Sequence, residues 1–310
     1  VAADESTRWT SGPYAADIRY GRLYGKGSVD DKAPLAAMIQ AGLELAASNK
    51  PINGTLVIVA AAEEETGGRL GTKWLADSGL IPASDFIIVG EQTHNRTATA
   101  HKGVLRATVR ATGKSVHATN PDRGVNAITA MARAVLALDS YHRLLAERVH
   151  PLAGSPTCNV GVIQGGSTAN AVPDLCQAWL DRRVIPGEDF GAAQEELIGL
   201  ISEVDAGAAI LSVCDFHLSN WFESTTTGEL ATQFLSAIHE IRQIDPGLIG
   251  YLPGGDAKHL MNVARGEVVI FGPGSYEVAH AFDEYVDLGE LGDTYAILKT
   301  FLHSVLASPR

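Results

Sequence analysis

The hydrophobic pattern of the first part of the chain alternates between helices and buried strands. Residues 30–48 are rich in Ala and Leu and begin with acidic residues, which favours a helix. Residues 55–62, TLVIVAAA, form a continuous apolar run, which is typical of a strand buried on both faces. A short helix is predicted at 70–79 and a second buried strand at 85–91. This succession predicts an α/β fold with a parallel or mixed sheet.

The middle of the chain has a different pattern. Residues 104–113 alternate between apolar and polar positions, as a half-exposed strand does. Residues 126–147 have the period of a long amphipathic helix. The remaining elements complete the order β-α-β-β-α-β, which predicts a ferredoxin-like α+β unit. They are an antiparallel pair of strands at 156–166 and 176–186, a helix at 188–204 and a strand at 209–222.

The end of the chain returns to the first pattern, with a helix at 228–241, a short buried strand at 267–274 and a closing helix at 291–308. The economical interpretation is one α/β domain that is interrupted by an inserted α+β domain. We therefore predict a discontinuous domain of residues 1–102 and 223–310, and an inserted domain of residues 103–222.

Composition narrows the class of protein. The 310 residues are 45% hydrophobic and 19% charged, as expected of two globular domains. The 24 basic and 36 acidic residues give a net charge of −12. The sequence has no run of Lys and Arg of the kind that would indicate nucleic-acid binding. The cysteines 158, 176 and 214 form no C-x-x-C pair, which argues against a disulfide framework. No apolar run reaches the ~18 residues that a membrane span needs. We expect a cytoplasmic protein.

Acidic residues cluster where the predicted buried strands end. In open α/β sheets, ligands bind beyond the carboxyl ends of the strands. Four separate segments bring acids or a histidine to that edge. They are Asp30 and Asp31 after a glycine-rich loop, Glu63, Glu64 and Glu65 after the first strand, Glu91 after the second, and His280, Asp283 and Glu284 after a Gly-Pro-Gly turn.

Converging carboxylates repel one another and raise one another's pKa values unless a cation lies between them. Carboxylate oxygens with one or two imidazoles suit Zn²⁺ or a related ion such as Co²⁺ or Mn²⁺. One carboxylate can bridge two such ions about 3.5–4 Å apart, while a glutamate outside the coordination acts as general base. Each motif alone has a simpler interpretation, with Asp30 and Asp31 as helix caps and residues 63–65 as a solvated turn.

In combination, the motifs resemble those of the M20 metallopeptidase family, in family order across nearly the whole chain. YGKGSVDDK resembles Y-G-R-G-x-x-D-x-K, and AEEETGG resembles D-E-E-x-G-S. VGEQT and GPGSYEVAHAFDEYV resemble the segments that supply the later ligands. The resemblance implies that Asp30 bridges two metals, that Glu64 is the general base, and that Glu65, Glu91 and His280 are further ligands.

The inserted domain is similar to the family as well. GKSVHATNPDRGVNAI carries His117, to which the resemblance assigns polarisation of the scissile carbonyl, often from the partner subunit of a dimer. GGSTANAVPDLCQAWLDRRVIP carries Asn170 and Arg183 as implied substrate contacts, and the Arg183 guanidinium could bind a carboxylate through two hydrogen bonds. Arg182 is the alternative to Arg183, or a solvated strand residue.

PGGDAKHL resembles the family's substrate loop G-G-T-D-A-R, although it lacks the Thr. The resemblance makes the main chain of Gly254 and Gly255 a substrate contact. We predict no functional role for five other histidines, His101, His142, His150, His217 and His259.

One family motif, H-x-D, does not precede Asp30 in this chain. In the family, its His binds one metal and its Asp orients that His. We expect that the natural protein is longer than this chain, and the alternative is a family member that has lost the motif. In either case we expect weak or absent metal at that position and no activity from this chain alone.

The resemblance implies a metal-dependent amidohydrolase that cleaves the amide of an N-acyl amino acid. It implies two divalent ions, zinc before cobalt or manganese, and a homodimer formed through the inserted domain. GPGSYEVAHAFDEYV is most similar to the acetylornithine deacetylase branch. Succinyl-diaminopimelate desuccinylase and a dipeptidase or carboxypeptidase are the alternatives within the family. A non-catalytic binding or dimerisation relative is the alternative of another class, and the retained Glu64 argues against it.

Overall fold

The structure, a computed structural model, describes residues 8–48 and 50–307. The chain divides into two compact units, one of Val1–Ala100 with Glu223–Arg310 and one of His101–Phe222. The two ends of the predicted discontinuous domain, and residue 308 of the predicted closing helix, lie outside the described residues. Every described helix is too short or too polar to span a lipid bilayer.

The described residues form twelve strands and seven α-helices. The strands are β1 (Asp17–Arg19), β2 (Arg22–Tyr24), β3 (Ser84–Gly90), β4 (Thr97–His101), β5 (Gly103–Thr112), β6 (Thr157–Gly165), β7 (Leu175–Val184), β8 (Ile210–Ser219), β9 (Phe222–Glu223), β10 (Leu248–Tyr251), β11 (Ala264–Phe271) and β12 (Tyr285–Asp287). The helices are α1 (Ala33–Ala47), α2 (Thr72–Asp77), α3 (Ala127–Leu145), α4 (Phe190–Ser202), α5 (Glu229–Arg242), α6 (Ala257–Leu260) and α7 (Leu288–Leu306).

The first unit contains a mixed sheet in the order β10-β4-β11-β3, in which β11 runs parallel to β3 and antiparallel to β4. A separate three-stranded sheet has the order β1-β2-β12. Helices α1, α5 and α7 bury their apolar faces in one core with β11. In this core the Phe234 ring contacts the rings of Phe271 and Phe301 edge to face. Aromatic pairs in this geometry add to the stabilisation that burial alone provides.

The second unit is a four-stranded antiparallel sheet in the order β6-β7-β5-β8, with α3 and α4 packed against it. Its chain order, β-α-β-β-α-β, matches the order that the hydrophobic pattern predicts. Alternate residues of β5, among them Leu105 and Val109, are buried and contact the apolar stripe of α3 that includes Met131 and Leu138. The apolar residues of strand β5, which recur with period 2, and those of helix α3, which recur with period 3.6, therefore lie in the same core.

The prediction of a buried strand at 55–62 is wrong. Residues 51–61 have no regular secondary structure, and Val57 and Val59 remain 45% and 40% exposed. An apolar run becomes a strand only when its backbone groups pair with a neighbour, and the described residues provide no strand that pairs with this one. The run instead lines a cleft of about 670 Å³ together with β3, which is at one end of the mixed sheet.

One other prediction needs correction in detail, and several short strands were missed. The helix predicted at 30–48 begins only at Ala33, because Asp30 and Asp31 have non-helical backbone angles in a π-helical turn, Ser28–Lys32. The acidic pair is therefore not the first turn of a regular helix. The short strands β1, β2, β4, β10 and β12 were not predicted, since three to five residues carry too little periodicity to be recognised.

Candidate active site

Three side chains from distant parts of the first unit converge on one point. Asp30 lies in the turn before α1, Glu65 lies in the 3₁₀ turn Glu64–Thr66, and His280 lies in the loop between β11 and β12. Nε2 of His280 is 2.9 Å from Oδ2 of Asp30 and 3.1 Å from the Glu65 carboxylate. One potential ligand atom from each residue lies within 4.8 Å of the other two.

A buried glutamate fixes the backbone at Asp30. Glu284 is fully buried, and its Oε1 accepts hydrogen bonds from the amides of Val29 (3.2 Å) and Asp30 (3.3 Å). Its other oxygen lies 3.2 Å from Nζ of Lys26, which supplies the opposite charge that a buried carboxylate needs. The predicted acid Glu284 therefore supports the turn, while Asp283 points to Thr10, whose hydroxyl donates to Oδ2 over 2.6 Å.

Glu91, directly after β3, is linked to the cluster through its neighbour. Nε2 of Gln92 donates to Oδ1 of Asp30 (3.1 Å) and to Oε2 of Glu91 (3.2 Å). The Tyr251 hydroxyl lies 3.0 Å from the same Glu91 oxygen and 2.9 Å from Oε1 of Gln92. Sequence analysis missed Gln92 and Tyr251. The position of Gln92 beside Glu91 was the only local signal for either residue.

The acidic side chains shift one another's ionisation. Burial, followed by the charges of Glu64 and Asp30, raises the pKa of Glu91 well above its ordinary value. Burial and the Glu65 charge raise the pKa of Asp30. Burial and the charge of Asp256 raise the pKa of Glu64 to about 7. A carboxyl with a pKa near neutrality can both accept and donate a proton at physiological pH.

The three adjacent glutamates differ in their surroundings. Oε2 of Glu63 accepts a hydrogen bond from the Leu70 amide over 2.6 Å, and the Glu63 backbone has a left-handed φ of 68°. Glu63 therefore closes the turn. Glu65 belongs to the convergent cluster with His280, and Glu64 lies beside that cluster with its raised pKa. Sequence analysis left the role of Glu63 unassigned.

The donor set of the cluster fits a divalent transition-metal ion. Two carboxylates and one imidazole nitrogen are the ligands that Zn²⁺, Mn²⁺ and Co²⁺ accept. Ligand atoms at about 2.0–2.2 Å from a shared ion lie roughly 3–4.4 Å from one another, and the His280 separations of 2.9 and 3.1 Å require only small adjustment. Asp30, Glu65 and His280 could therefore hold a cation together.

Gly254 and Gly255 lie in the loop between β10 and α6. The carbonyl of Gly255 accepts a hydrogen bond from Nζ of Lys258 over 2.8 Å. A Cβ on Gly255 would lie 3.2 Å from Oε1 of Glu91, which is tighter than an ordinary van der Waals contact. The loop thus passes directly over Glu91, and a side chain at position 255 would crowd that carboxylate.

The remaining predicted site residues belong to the second unit. The chain at His117 pairs with Ala171, and the Ala118 amide donates to the Asn170 carbonyl over 3.0 Å, so the fold brings His117 and Asn170 together. Both residues are exposed. On β7, Arg183 is half-buried, and its Nε donates to Oδ1 of Asp181 over 2.7 Å.

Arg182, the predicted alternative to Arg183, is not a solvated strand residue. Its side chain is fully buried and forms two hydrogen bonds, of 2.7 and 2.9 Å, with the Glu188 carboxylate. Adjacent residues of a strand face opposite sides of the sheet. The structure therefore leaves Arg183 and not Arg182 available for contact with a ligand.

Comparison with known proteins agrees with this arrangement. Residues 1–304 match peptidase family M20/M25/M40, and the chain belongs to this family. It is 33% identical to acetylornithine deacetylase from Edwardsiella ictaluri (strain 93-146), over 98% of this chain and 77% of that protein. The fold is similar to that of a tripeptidase from Staphylococcus aureus subsp. aureus Mu50, with a TM-score of 0.75, 21% identity, and coverage of 93% of this chain and 75% of that one.

A second solved structure extends the likeness of the fold. It is the YXEP protein from Bacillus subtilis, described as a dinuclear metal binding peptidase from the M20 family. Its TM-score is 0.60 at 15% identity, over 87% of this chain and 70% of that one. The chain is thus an M20 family hydrolase with the α/β fold of the solved M20 peptidases.

Proposed function

We propose that this protein hydrolyses the amide bond of an N-acyl amino acid, as an acetylornithine deacetylase does. The observation that carries the proposal is the position of Glu64 beside the cluster of Asp30, Glu65 and His280, where burial and the charge of Asp256 raise its pKa to about 7. The similarity to the Edwardsiella ictaluri acetylornithine deacetylase over most of both chains favours this substrate class.

In this proposal, Asp30, Glu65 and His280 would hold one divalent ion. Asp30 and Glu91 would provide ligands for a second ion, since Gln92 links their carboxylates. The second position lacks a histidine in this chain, so we expect it to bind metal weakly or not at all. When bound, zinc, cobalt or manganese would polarise the scissile carbonyl and acidify the attacking water.

The residues of the chain perform the proton transfers. Glu64 accepts the proton of the attacking water as general base and then delivers it to the leaving amine. A pKa near 7 suits both steps, because neither protonation state is strongly disfavoured. His117 donates a hydrogen bond to the developing oxyanion. Asn170 and the main chain of Gly254 and Gly255 orient the substrate, and the Arg183 guanidinium binds its carboxylate.

The two parts of the chain have separate roles in the proposal. Residues 1–102 and 223–310 form the catalytic domain, and residues 103–222 form a lid that also makes a homodimer. The proposal of a dimer is supported by strand β6, which is an edge strand of its sheet and exposes Val162 and Ile163. Light scattering tests this point, and a purely monomeric protein would contradict it.

Other activities compete with the deacetylase proposal. Desuccinylation of succinyl-diaminopimelate uses the same chemistry on a different acyl group. A dipeptidase or carboxypeptidase activity is favoured by the similar fold of the Staphylococcus aureus tripeptidase. A non-catalytic relative that only binds or dimerises is the alternative of another class, and it gives no reason for a glutamate with the pKa of Glu64 at this position.

The test measures hydrolysis of N-acetylornithine, N-succinyl-diaminopimelate, an acyl-glutamate and a dipeptide with added Zn²⁺, Co²⁺ or Mn²⁺. Both this chain and the complete product of its coding region are assayed, since we expect this chain alone to be inactive. The control variant Glu64→Gln keeps the shape of the side chain and removes the base, so activity should fall by roughly 10²–10⁴-fold. Absence of turnover of every substrate by the complete product would overturn the proposal.

A further inference from the structure

The turn that carries Glu64 and Glu65 is closed by its own backbone and held from outside. The Gly67 amide donates to the Glu64 carbonyl over 2.7 Å, and the Gly68 amide donates to the Glu63 carbonyl over 2.9 Å. These bonds fix the shape of the turn. They do not fix its orientation in the first unit, which depends on contacts with other segments.

Two side chains at α6 make those contacts. Oδ2 of Asp256 accepts a hydrogen bond from the Thr72 hydroxyl over 2.5 Å. Nε2 of His259 lies 2.9 Å from the Gly67 carbonyl, to which it donates. Burial lowers the pKa of His259, so the ring is neutral at physiological pH with its proton on Nε2. His259 thus holds the turn at Gly67, and Asp256 holds Thr72, the first residue of α2, four residues after Gly68.

The packing at Gly68 shows how closely the two segments fit. A Cβ at this position would lie 2.2 Å from Oδ1 of Asp256, and the φ of Gly68 is 67°. Only glycine meets both conditions without strain. Asp256 is 6% exposed, and among the described residues its Oδ1 has no hydrogen-bond partner, although it lies 3.9 Å from Nε2 of His259. A buried carboxylate is costly, so stability alone does not explain Asp256.

We propose that Asp256 and His259 are positioning residues that orient the turn so that the Glu64 carboxylate reaches the reacting water. This inference rests on the proposed function, because it assigns Glu64 as the base. In this proposal, neither residue contacts the substrate. Their effect passes through Thr72, Gly67 and Gly68 to the backbone of the turn, and misplacement by about 1 Å is enough to slow catalysis substantially.

The test compares Asp256→Ala, Asp256→Asn, Thr72→Val and His259→Ala in the complete protein, with Asp245→Asn as the control. Asp245 is an exposed residue of the same unit whose Oδ1 accepts from the Gly247 amide, outside the site. We expect Asp256→Ala and His259→Ala to lower kcat by about 10–100-fold with KM changed less than about threefold. Asp256→Asn retains an oxygen acceptor for Thr72 and should recover part of the loss, whereas Asp245→Asn should change nothing.

Hydrogen–deuterium exchange of residues 63–72 provides a readout that does not require activity. We expect Asp256→Ala and Thr72→Val to speed exchange there by at least about tenfold, with exchange elsewhere unchanged. If the wild-type protein cleaves no amide, the proposed function fails while exchange still decides the role of the two residues. Unchanged kcat, or unchanged exchange at 63–72 in folded Asp256→Ala and Thr72→Val, would overturn the inference.

Discussion

Nε2 of His280 lies 2.9 Å from Oδ2 of Asp30, although the two residues are near opposite ends of the sequence. Two loops at separate strand ends have to meet for this contact to form, and Glu284, which lies in the same loop as His280, joins them. Glu284 holds the backbone at Asp30, and the His280 backbone has a left-handed φ of 61°, which turns its side chain. The fold thus places the imidazole against the carboxylates instead of relying on their attraction.

Removal of this imidazole should weaken metal binding. Loss of a residue that only hydrogen-bonds a metal ligand lowers metal affinity by roughly 10–100-fold. His280 is a proposed ligand itself, so we expect His280→Ala to lower the affinity for Zn²⁺ or Mn²⁺ by at least that factor. Isothermal titration calorimetry measures the change. The control is His217→Ala, since His217 is an exposed residue of β8 in the second unit. Equal affinities in His280→Ala and the wild type would show that Asp30, Glu65 and His280 do not form a metal site.

The Tyr251 hydroxyl should matter through Glu91. Tyr251→Phe removes the hydroxyl that donates to Oε2 of Glu91 over 3.0 Å and leaves the packing of the ring intact. Because that bond favours the charged form of Glu91, its loss should weaken metal binding by Glu91 and lower kcat by about 10-fold. Tyr276→Phe is the matched control, since the Tyr276 ring contacts the Tyr251 ring edge to face. A Tyr251→Phe protein with the metal affinity and kcat of the wild type would argue against this role.

Much of the first unit's site was predictable, because its acids follow recognisable local patterns. Asp30, Glu65, Glu91 and His280 each stand in a glycine-rich loop or directly after a predicted strand. A strand end or a glycine turn is a local signal, and the α/β fold brings such ends to one edge. The sequence order of the motifs therefore carried most of the information about the cluster.

The supporting residues were not predictable, because their partners lie far away in the sequence. Tyr251 and Asp256 act on Glu91 and on the turn at Gly68, and neither pairing leaves a local signal. The same limit explains the wrong strand at 55–62, since an apolar run predicts burial but not the neighbour that a strand must pair with. Arg182 was misjudged for a different reason: its partner Glu188 is only six residues away, but the alternation of a strand does not say which of its two faces is buried.

Loss of one partner of the buried pair of Arg182 and Glu188 should strongly destabilise the second unit. Glu188→Ala would leave a fully buried guanidinium without its principal partner, and we expect a loss of about 3–5 kcal/mol in the free energy of unfolding. Urea denaturation measures the change. Arg106→Ala, which breaks an exposed pair with Asp181, should cost only about 0–1 kcal/mol. A Glu188→Ala protein as stable as Arg106→Ala would contradict this account.

The same pair should make stability depend on pH in the acid range. Burial alone would raise the pKa of Glu188, but the hydrogen bonds from Arg182, the Ile185 amide and Arg148, together with the Arg182 charge, outweigh burial and hold that pKa below the ordinary value. A carboxyl whose folded pKa is depressed stabilises the fold above its unfolded pKa and loses that contribution as the pH falls. We therefore expect the difference in the free energy of unfolding between the wild type and Glu188→Gln to shrink below about pH 4.3. A difference that stays constant from pH 7 to pH 3 would contradict the expectation.

The three thiols should differ in reactivity. Burial raises the pKa of Cys158 to about 11, so at pH 8 only about one Cys158 thiol in a thousand is ionised. Cys176 is 1% exposed, and burial raises its pKa too. Burial and the hydrogen bond to Asp215 also raise the pKa of Cys214, but this residue is only half-buried and therefore accessible to a reagent. We expect a thiol reagent at pH 8 to modify Cys214 alone in the native protein and all three cysteines in guanidinium chloride. The Cys214→Ser variant should then show no fast-reacting thiol until it unfolds. Fast modification of Cys158 in the native protein would mean that β6 separates from α3 under native conditions, because both elements bury that side chain.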